Sequence, residues 1–118
     1  MLLAFSGDEF AGSLAWIDHE DEVEILQFFA IDRRRGVGSE LIEAVVQRTA
    51  ELGRSRVFVI TTNDNIDALR FYQRRGFRLR ALRPRALKDA RSRLKPSIPS
   101  EGDYGIYKRD ELELERDV

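Results

Sequence analysis

One stretch constrains the fold of this chain more than any other: Phe28-Phe29-Ala30-Ile31-Asp32-Arg33-Arg34-Arg35-Gly36-Val37-Gly38-Ser39. An apolar run stops at Asp32, three arginines and two glycines follow, and a helical pattern begins at once. The order predicts a strand, a tight turn with little side chain, and a helix N-terminus. The first N–H groups of a helix lack partners within it, and the helix dipole places partial positive charge at that end. A helix opening directly after a strand, on bare backbone, therefore forms a cradle for a phosphate-bearing ligand. Glycine suits the turn because a Cβ would hold a pyrophosphate away from the backbone.

The pattern on either side predicts a sheet built around that unit. Residues 2–5 and 10–17 read as short strands joined by a Ser6-Gly7-Asp8-Glu9 turn. His19-Glu20-Asp21-Glu22 is a polar turn, and Val23 to Ile31 reads as a third strand, apolar on both faces near its end. Leu41, Ile42, Val45, Val46 and Leu52 recur at helical spacing from Val37, with Gly53 as the stop. Arg56 to Thr61 is β-branched and strand-like, so strand, helix and strand imply a parallel pair with a right-handed crossover. Thr62-Asn63-Asp64-Asn65 offers cap chemistry for a second helix, Ile66 to Arg75, that ends at Gly76. Residues 77–82 read as a strand beside 56–61, residues 84–95 as basic and weakly helical, and 96–100 as a loop. Arg109 to Arg116 alternates acid and Leu as a last, edge-like strand that could pair between protomers. The expected class is α/β (α+β): a mixed, mostly antiparallel central sheet with one parallel pair linked by a crossover helix.

A length of 118 residues fits one domain, 1–118. No apolar run approaches the roughly 20 residues of a membrane span, and the N-terminus lacks the basic segment of a signal peptide. With no cysteine there is no disulfide, no thiol nucleophile and no thiolate metal site, and a cytoplasmic, metal-free protein is the expectation. The net charge of −1 hides an asymmetry: −8 over residues 1–32, +11 over 33–95 and −4 over 96–118. A near-neutral chain with a basic middle suits a local anionic ligand better than general nucleic-acid binding. No aromatic platform or recognition-helix pattern accompanies the charge, which counts further against nucleic acid.

Two common phosphate motifs fail. Gly36-Val37-Gly38-Ser39-Glu40-Leu41 lacks the third glycine of a dinucleotide fingerprint, and no Gly-Lys-Ser/Thr follows as in a P-loop. The chain instead resembles the GNAT superfamily of acyl-CoA-dependent N-acyltransferases. Arg33-x-x-Gly36-x-Gly38 matches that superfamily's Arg/Gln-x-x-Gly-x-Gly/Ala motif. Asn65-x-x-Ala68, then Phe71-Tyr72 and Gly76-Phe77, matches its second block. Together the blocks cover roughly residues 2–82, with a weaker match in the last strand.

The resemblance implies acetyl-CoA as donor, with its pyrophosphate on the N–H groups of Arg34, Arg35, Gly36, Val37, Gly38 and Ser39 beside Arg33. It implies a pantetheine arm in a gap where two strands splay, bonded by backbone groups of Phe29 and Ile31. A main-chain N–H near Phe29 or Ala30 would polarise the acyl carbonyl, and Asn65 would contact the pantetheine or nearby backbone. Tyr72 is the expected acid for the departing thiolate, although an aromatic at helical spacing otherwise means core. Glu24 is the candidate base for a primary amine acceptor, with Glu22 and His19 as neighbours, and a solvated hairpin end is the plain alternative. Without cysteine a thiol-based covalent route is excluded, and direct transfer is the expected mechanism.

Against that superfamily the chain starts at the equivalent of the second strand, so a first strand and two helices are expected to be missing. A homodimer covering the exposed sheet is one expected consequence, and a non-catalytic acyl-CoA-binding or regulatory module is the alternative function. Arg83, Arg85, Lys88, Arg91, Arg93 and Lys95 read as a solvated face or as a basic lid for an acidic group.

Overall fold

The structure is a computed structural model that describes residues 1–6, 9–31, 36–87 and 101–118. Its elements are β1 (Leu2–Ser6), β2 (Glu9–Asp18), β3 (Glu22–Ala30), α1 (Val37–Glu51), β4 (Arg56–Thr62), α2 (Ile66–Arg74), β5 (Arg78–Arg83) and β6 (Glu111–Asp117). The strands form one six-stranded sheet in the order β1-β2-β3-β4-β6-β5. β3 and β4 are parallel, joined through α1, while β1–β2, β2–β3 and β5–β6 are antiparallel. No helix among the described residues is long and apolar enough to cross a membrane.

The chain divides into two compact units, Met1–Val59 with Arg116–Val118, and Ile60–Glu115. In the first, α1 turns one stripe inward: Val37, Gly38, Leu41, Ile42, Val45 and Thr49 are buried, the 3.6-residue repeat of a helix lying on a sheet. Leu14, Val23, Ile25 and Val57 complete that core. Thr49, a polar residue at a core position, donates its hydroxyl to Val45 O at 2.7 Å, so no polar atom is stranded. At one margin Arg116 Nη1 reaches Glu43 Oε1 at 2.8 Å, and the Val118 N–H donates to Ser55 O at 3.0 Å.

Gly12 sets how closely α1 approaches the sheet. A Cβ there would lie 2.6 Å from Phe29 O and 3.2 Å from both Leu41 Cδ1 and Val37 Cγ1. The backbone oxygen cannot yield as a flexible side chain would. Gly12→Ala is expected to lower unfolding stability by about 1–3 kcal/mol, the usual cost of overpacking; a melt or urea titration within error of the unsubstituted protein would rule out this contact.

The second unit corrects the strand order read from sequence. Residues 78–83 do not pair beside β4; β6 lies between β4 and β5, and β5 is the outer strand. β6 therefore has both edges occupied within the sheet and is no edge for pairing between protomers. Its acid–Leu alternation reads as an edge strand, yet Glu113, Leu114 and Glu115 are all buried. The physical reason lies in β5: Arg78 Nη2 and Arg80 Nε reach Glu115 at 2.8 and 3.2 Å, and Arg83 Nη2 reaches Glu113 at 2.8 Å. Arginines of one strand neutralise and cover the acids of the next, which a single-strand pattern cannot show. The segment read as weakly helical and as a loop falls largely on residues 88–100, outside the described residues.

Candidate functional site

The parallel ladder between β3 and β4 runs from Glu22↔Arg56 to Ile25↔Val59 and stops there, while β3 continues to Ala30. The stop coincides with a β-bulge: Ala15 pairs with Gln27 but Trp16 with Ile25, leaving Leu26 as an extra residue in β3. A bulge bends a strand and re-aims its backbone, and beyond Ile25 no β3–β4 pair is formed among the described residues.

Strand alternation fixes which groups line each edge of β3 beyond that point. The Ile31 N–H donates to Ala11 O at 2.8 Å, so Ile31 and, two residues back, Phe29 direct their backbone groups toward β2. Phe28 and Ala30 direct theirs to the opposite edge. Of the residues read from sequence as backbone contacts, Phe29 and Ile31 thus face β2 and Ala30 faces the other edge. The side chains of Phe29 and Ile31 are 48% and 60% exposed, so neither belongs to the core that the apolar run suggested.

The edge away from β2 leads toward the start of α1. Asp32, Arg33, Arg34 and Arg35 lie outside the described residues. Gly36 caps the helix with φ 75° and ψ 8°, in the left-handed region, and no side chain caps the N-terminus. A Cβ at Gly36 would meet nothing within 4 Å. Gly36 is thus required by its backbone conformation, and the space beside it is open. Val37 and Gly38 are buried, Ser39 is half-buried, and the Glu40 N–H already donates to Gly36 O at 3.0 Å. The helix start therefore offers main-chain donors and dipole but no side-chain acceptor of its own.

At the inner end of the edge stands Glu24, one residue before the last ladder pair and opposite Phe58. Its Oε1 lies 2.9 Å from His19 Nε2, and the His19 ring is tilted over Phe58 with centroids 6.0 Å apart. Glu22 is held by Arg56 Nε at 2.6 Å, and Arg56 also lies over the Phe58 ring at 4.6 Å. Asp18 takes a fork from Arg54, 2.8 Å on each oxygen. The Arg54 hydrogen bonds, helped by the Glu20 N–H, hold the Asp18 carboxyl down at about 2.

Within the second unit, Asn65 caps α2, its Oδ1 accepting from the Ala68 N–H at 3.1 Å. Of the cap candidates in Thr62-Asn63-Asp64-Asn65, Asn65 is the one that closes the helix start. Tyr72 is 5% exposed and meets Phe71 and Phe77 edge-to-face, both with centroids 5.2 Å away. Burial pushes its phenol up to about 12, so the hydroxyl keeps its proton throughout the physiological range and has a proton to donate. Beside the cap, Asn63 Oδ1 accepts from the Arg109 and Asp110 N–H groups at 2.9 and 3.0 Å. Buried Asp64 accepts from Thr62 Oγ1 at 2.5 Å and from the Asp103 N–H at 3.0 Å. The loop that opens α2 thereby ties down residues 101–110.

Sequence reasoning missed the bulge at Leu26, the close packing at Gly12 and the His19–Glu24 bond. The bulge had one trace: apolar alternation in β3 changes phase after Ile25, with Val23 and Ile25 buried and Leu26 and Gln27 exposed.

The model of the acetyltransferase (GNAT) family matches residues 1–77. YxbD of Bacillus subtilis (strain 168), a protein of uncharacterised activity, is 38% identical over 111 residues, covering 94% of this chain and 69% of its own length. YdhI of the same organism, likewise uncharacterised, is 36% identical over 104 residues, covering 88% of this chain and 64% of its own length. Among solved structures, a Bacillus subtilis acetyltransferase in complex with CoA superposes with a TM-score of 0.82 at 26% identity, over 98% of this chain and 74% of the other. A GNAT family acetyltransferase from Elizabethkingia anophelis with acetyl-CoA bound also reaches 0.82, at 21% identity, over 98% and 74%; that likeness is one of fold.

Proposed function

The chain belongs to the GNAT acetyltransferase family, and on that premise we propose that it transfers an acetyl group from acetyl-CoA to a primary amine by direct attack. The observation that carries this reading is the β3 edge: a strand released from its ladder at Ile25↔Val59 that continues to Ala30 and is followed by an uncapped helix start at Gly36. A pantetheine arm carries amides spaced for strand-like pairing and ends in a pyrophosphate. The exposed edge, with Ala30 as its main donor and acceptor, suits the arm, and the N–H groups of Gly36, Val37, Gly38 and Ser39 suit the pyrophosphate. The guanidinium groups of Arg33, Arg34 and Arg35 supply the counter-charge.

The acetyl carbonyl is polarised by a main-chain N–H of this edge, a modest stabilisation of the developing oxyanion. Glu24, at the inner end of the edge, takes the proton that the amine must lose. Tyr72, neutral at working pH, donates to the sulfur as the thiolate leaves; a dry site raises the basicity of a thiolate as it raises that of a phenolate, so the pair stays matched. The support for the CoA role of these residues is the geometry above together with the CoA carried by the 26%-identical structural neighbour. Residues 1–118 form one acetyltransferase domain in this reading, cytoplasmic in keeping with its lack of cysteine. Exposed Leu3, Phe5 and Phe10 on the β1–β2 surface support a homodimer.

The test is thiol release from acetyl-CoA with a panel of 2-phenylethylamine, spermidine, lysinamide, kanamycin and a short peptide with a free N-terminal alanine. Amine-dependent thiol release is expected with at least one. Tight acetyl-CoA binding with no release across the panel would sink the proposal in favour of a non-catalytic binding module.

A further inference from the structure

Of the carboxylates at the β2–β3 turn beside the parallel ladder, Asp18, Glu22 and Glu24 have side-chain partners of different kinds. Asp18 is locked by the Arg54 fork, and Glu22 by Arg56. Glu24 has, among the described residues, an imidazole for its side-chain partner, at 2.9 Å. A guanidinium neither gives up its proton nor accepts one, so an arginine-paired carboxylate holds its charge. An imidazole has two nitrogens, and one can take a proton while the other releases one.

The placement of His19 fits that use. Its backbone N–H donates to Glu22 O at 2.8 Å, fixing the residue across the turn. One face of the ring is held over Phe58, which is itself buried. The Glu24 side chain is 20% exposed while that of His19 is 41% exposed. The carboxylate thus faces the sheet and the ring faces water. Among the charged groups near the ring are Asp18, which interacts with it, and Arg56, which lies over the same Phe58 ring. Arg54 pairs with Asp18 and Arg56 with Glu22.

We propose that His19 is the proton exit of the reaction, a positioning and relay residue that acts through Glu24. The inference rests on the acetyltransferase reading and deepens it. The amine enters as an ammonium, and Glu24 takes one of its protons, leaving a neutral amine and a carboxylic acid. The proton then passes from Glu24 to Nε2 of a His19 ring that carries its proton on Nδ1, the Nδ1 proton leaves to water, and proton exchange with water returns the ring to that tautomer for the next turnover. Glu24 is restored as a carboxylate, and no charge accumulates beneath the reacting thioester.

The experiment uses the full chain at fixed pH with acetyl-CoA and the panel amine giving fastest thiol release. His19→Ala is expected to lower turnover about 10- to 100-fold, with acetyl-CoA affinity unchanged. Free imidazole should restore the rate in a saturable way, and across substituted imidazoles the restored rate should rise with their basicity. A packing role for the ring would give no dependence on basicity. Glu24→Gln should lose at least as much turnover and should not be rescued. Unchanged turnover in His19→Ala, or a loss that no imidazole repairs, overturns the relay while leaving Glu24 as base. Full turnover in Glu24→Gln overturns the base assignment and the relay with it. A panel on which the unsubstituted protein releases no thiol overturns the acetyltransferase reading itself.

Discussion

Tyr72→Phe should cut the rate of acetyl transfer about 100-fold, the usual scale for losing a positioned acid, while acetyl-CoA binds within about a factor of three of its normal affinity. The substitution removes one oxygen and keeps the ring that meets Phe71 and Phe77 edge-to-face, so the second unit should keep its packing. The same variant gives an independent readout. Burial raises the Tyr72 phenol from 10.0 to about 12, so in the folded protein one phenolate step should appear only near the top of an alkaline ultraviolet titration, and it should vanish in Tyr72→Phe. The sign of the linkage is that of a neutral group favoured by folding: the stability held by the protonated phenol is fully present below about 10 and is lost as pH rises toward 12. Normal turnover in Tyr72→Phe would remove the residue from the mechanism and return it to a purely structural role.

Gly36→Val should weaken acetyl-CoA binding by about 100-fold. Gly36 sits at φ 75°, and no neighbour crowds the position, so the penalty comes from backbone conformation. A β-branched residue is a strong outlier in that region, and the left-handed conformation costs an L-residue roughly 1–2 kcal/mol. Relief of that strain would rotate the helix-start amides away from the pyrophosphate, and the two effects compound. Gly36→Asn is the control, because asparagine tolerates left-handed backbone; it should bind within several-fold of the unsubstituted protein. Equal losses in both variants, measured by calorimetric titration with acetyl-CoA, would mean that the open space beside Gly36 matters rather than its φ.

Much of the fold was legible because it depends on local periodicity and on punctuation. The helix read from Leu41, Ile42, Val45 and Gly53 runs Val37–Glu51, and Asn65 caps α2 as its chemistry suggests. The parallel pair followed from strand–helix–strand order alone. What escaped was non-local. The place of β6 between β4 and β5 depends on arginines 30 or more residues away that cover Glu113 and Glu115. The bulge at Leu26 depends on register with β2, and the demand for glycine at position 12 depends on how near α1 comes to Phe29 O. The site divides the same way. Gly36 caps α1 and Glu24 lies in β3, as the helix and strand readings have it. The choice between Ile31 and Ala30 needed the Ile31–Ala11 hydrogen bond, and the pairing of Glu24 with His19 needed the closed turn.

The central claim is that the edge of β3 released at the bulge holds the donor. Amide hydrogen exchange, read residue by residue with and without acetyl-CoA, tests it directly. The Ile31 amide, already bonded to Ala11 O, should exchange at much the same rate in both states. The Ala30 amide on the opposite edge should slow at least 10-fold when acetyl-CoA is added, together with those of Gly38 and Ser39 at the helix start. Slowing at the helix start without any change at Ala30 would contradict the account, because the pyrophosphate would then be bound without a pantetheine arm along β3.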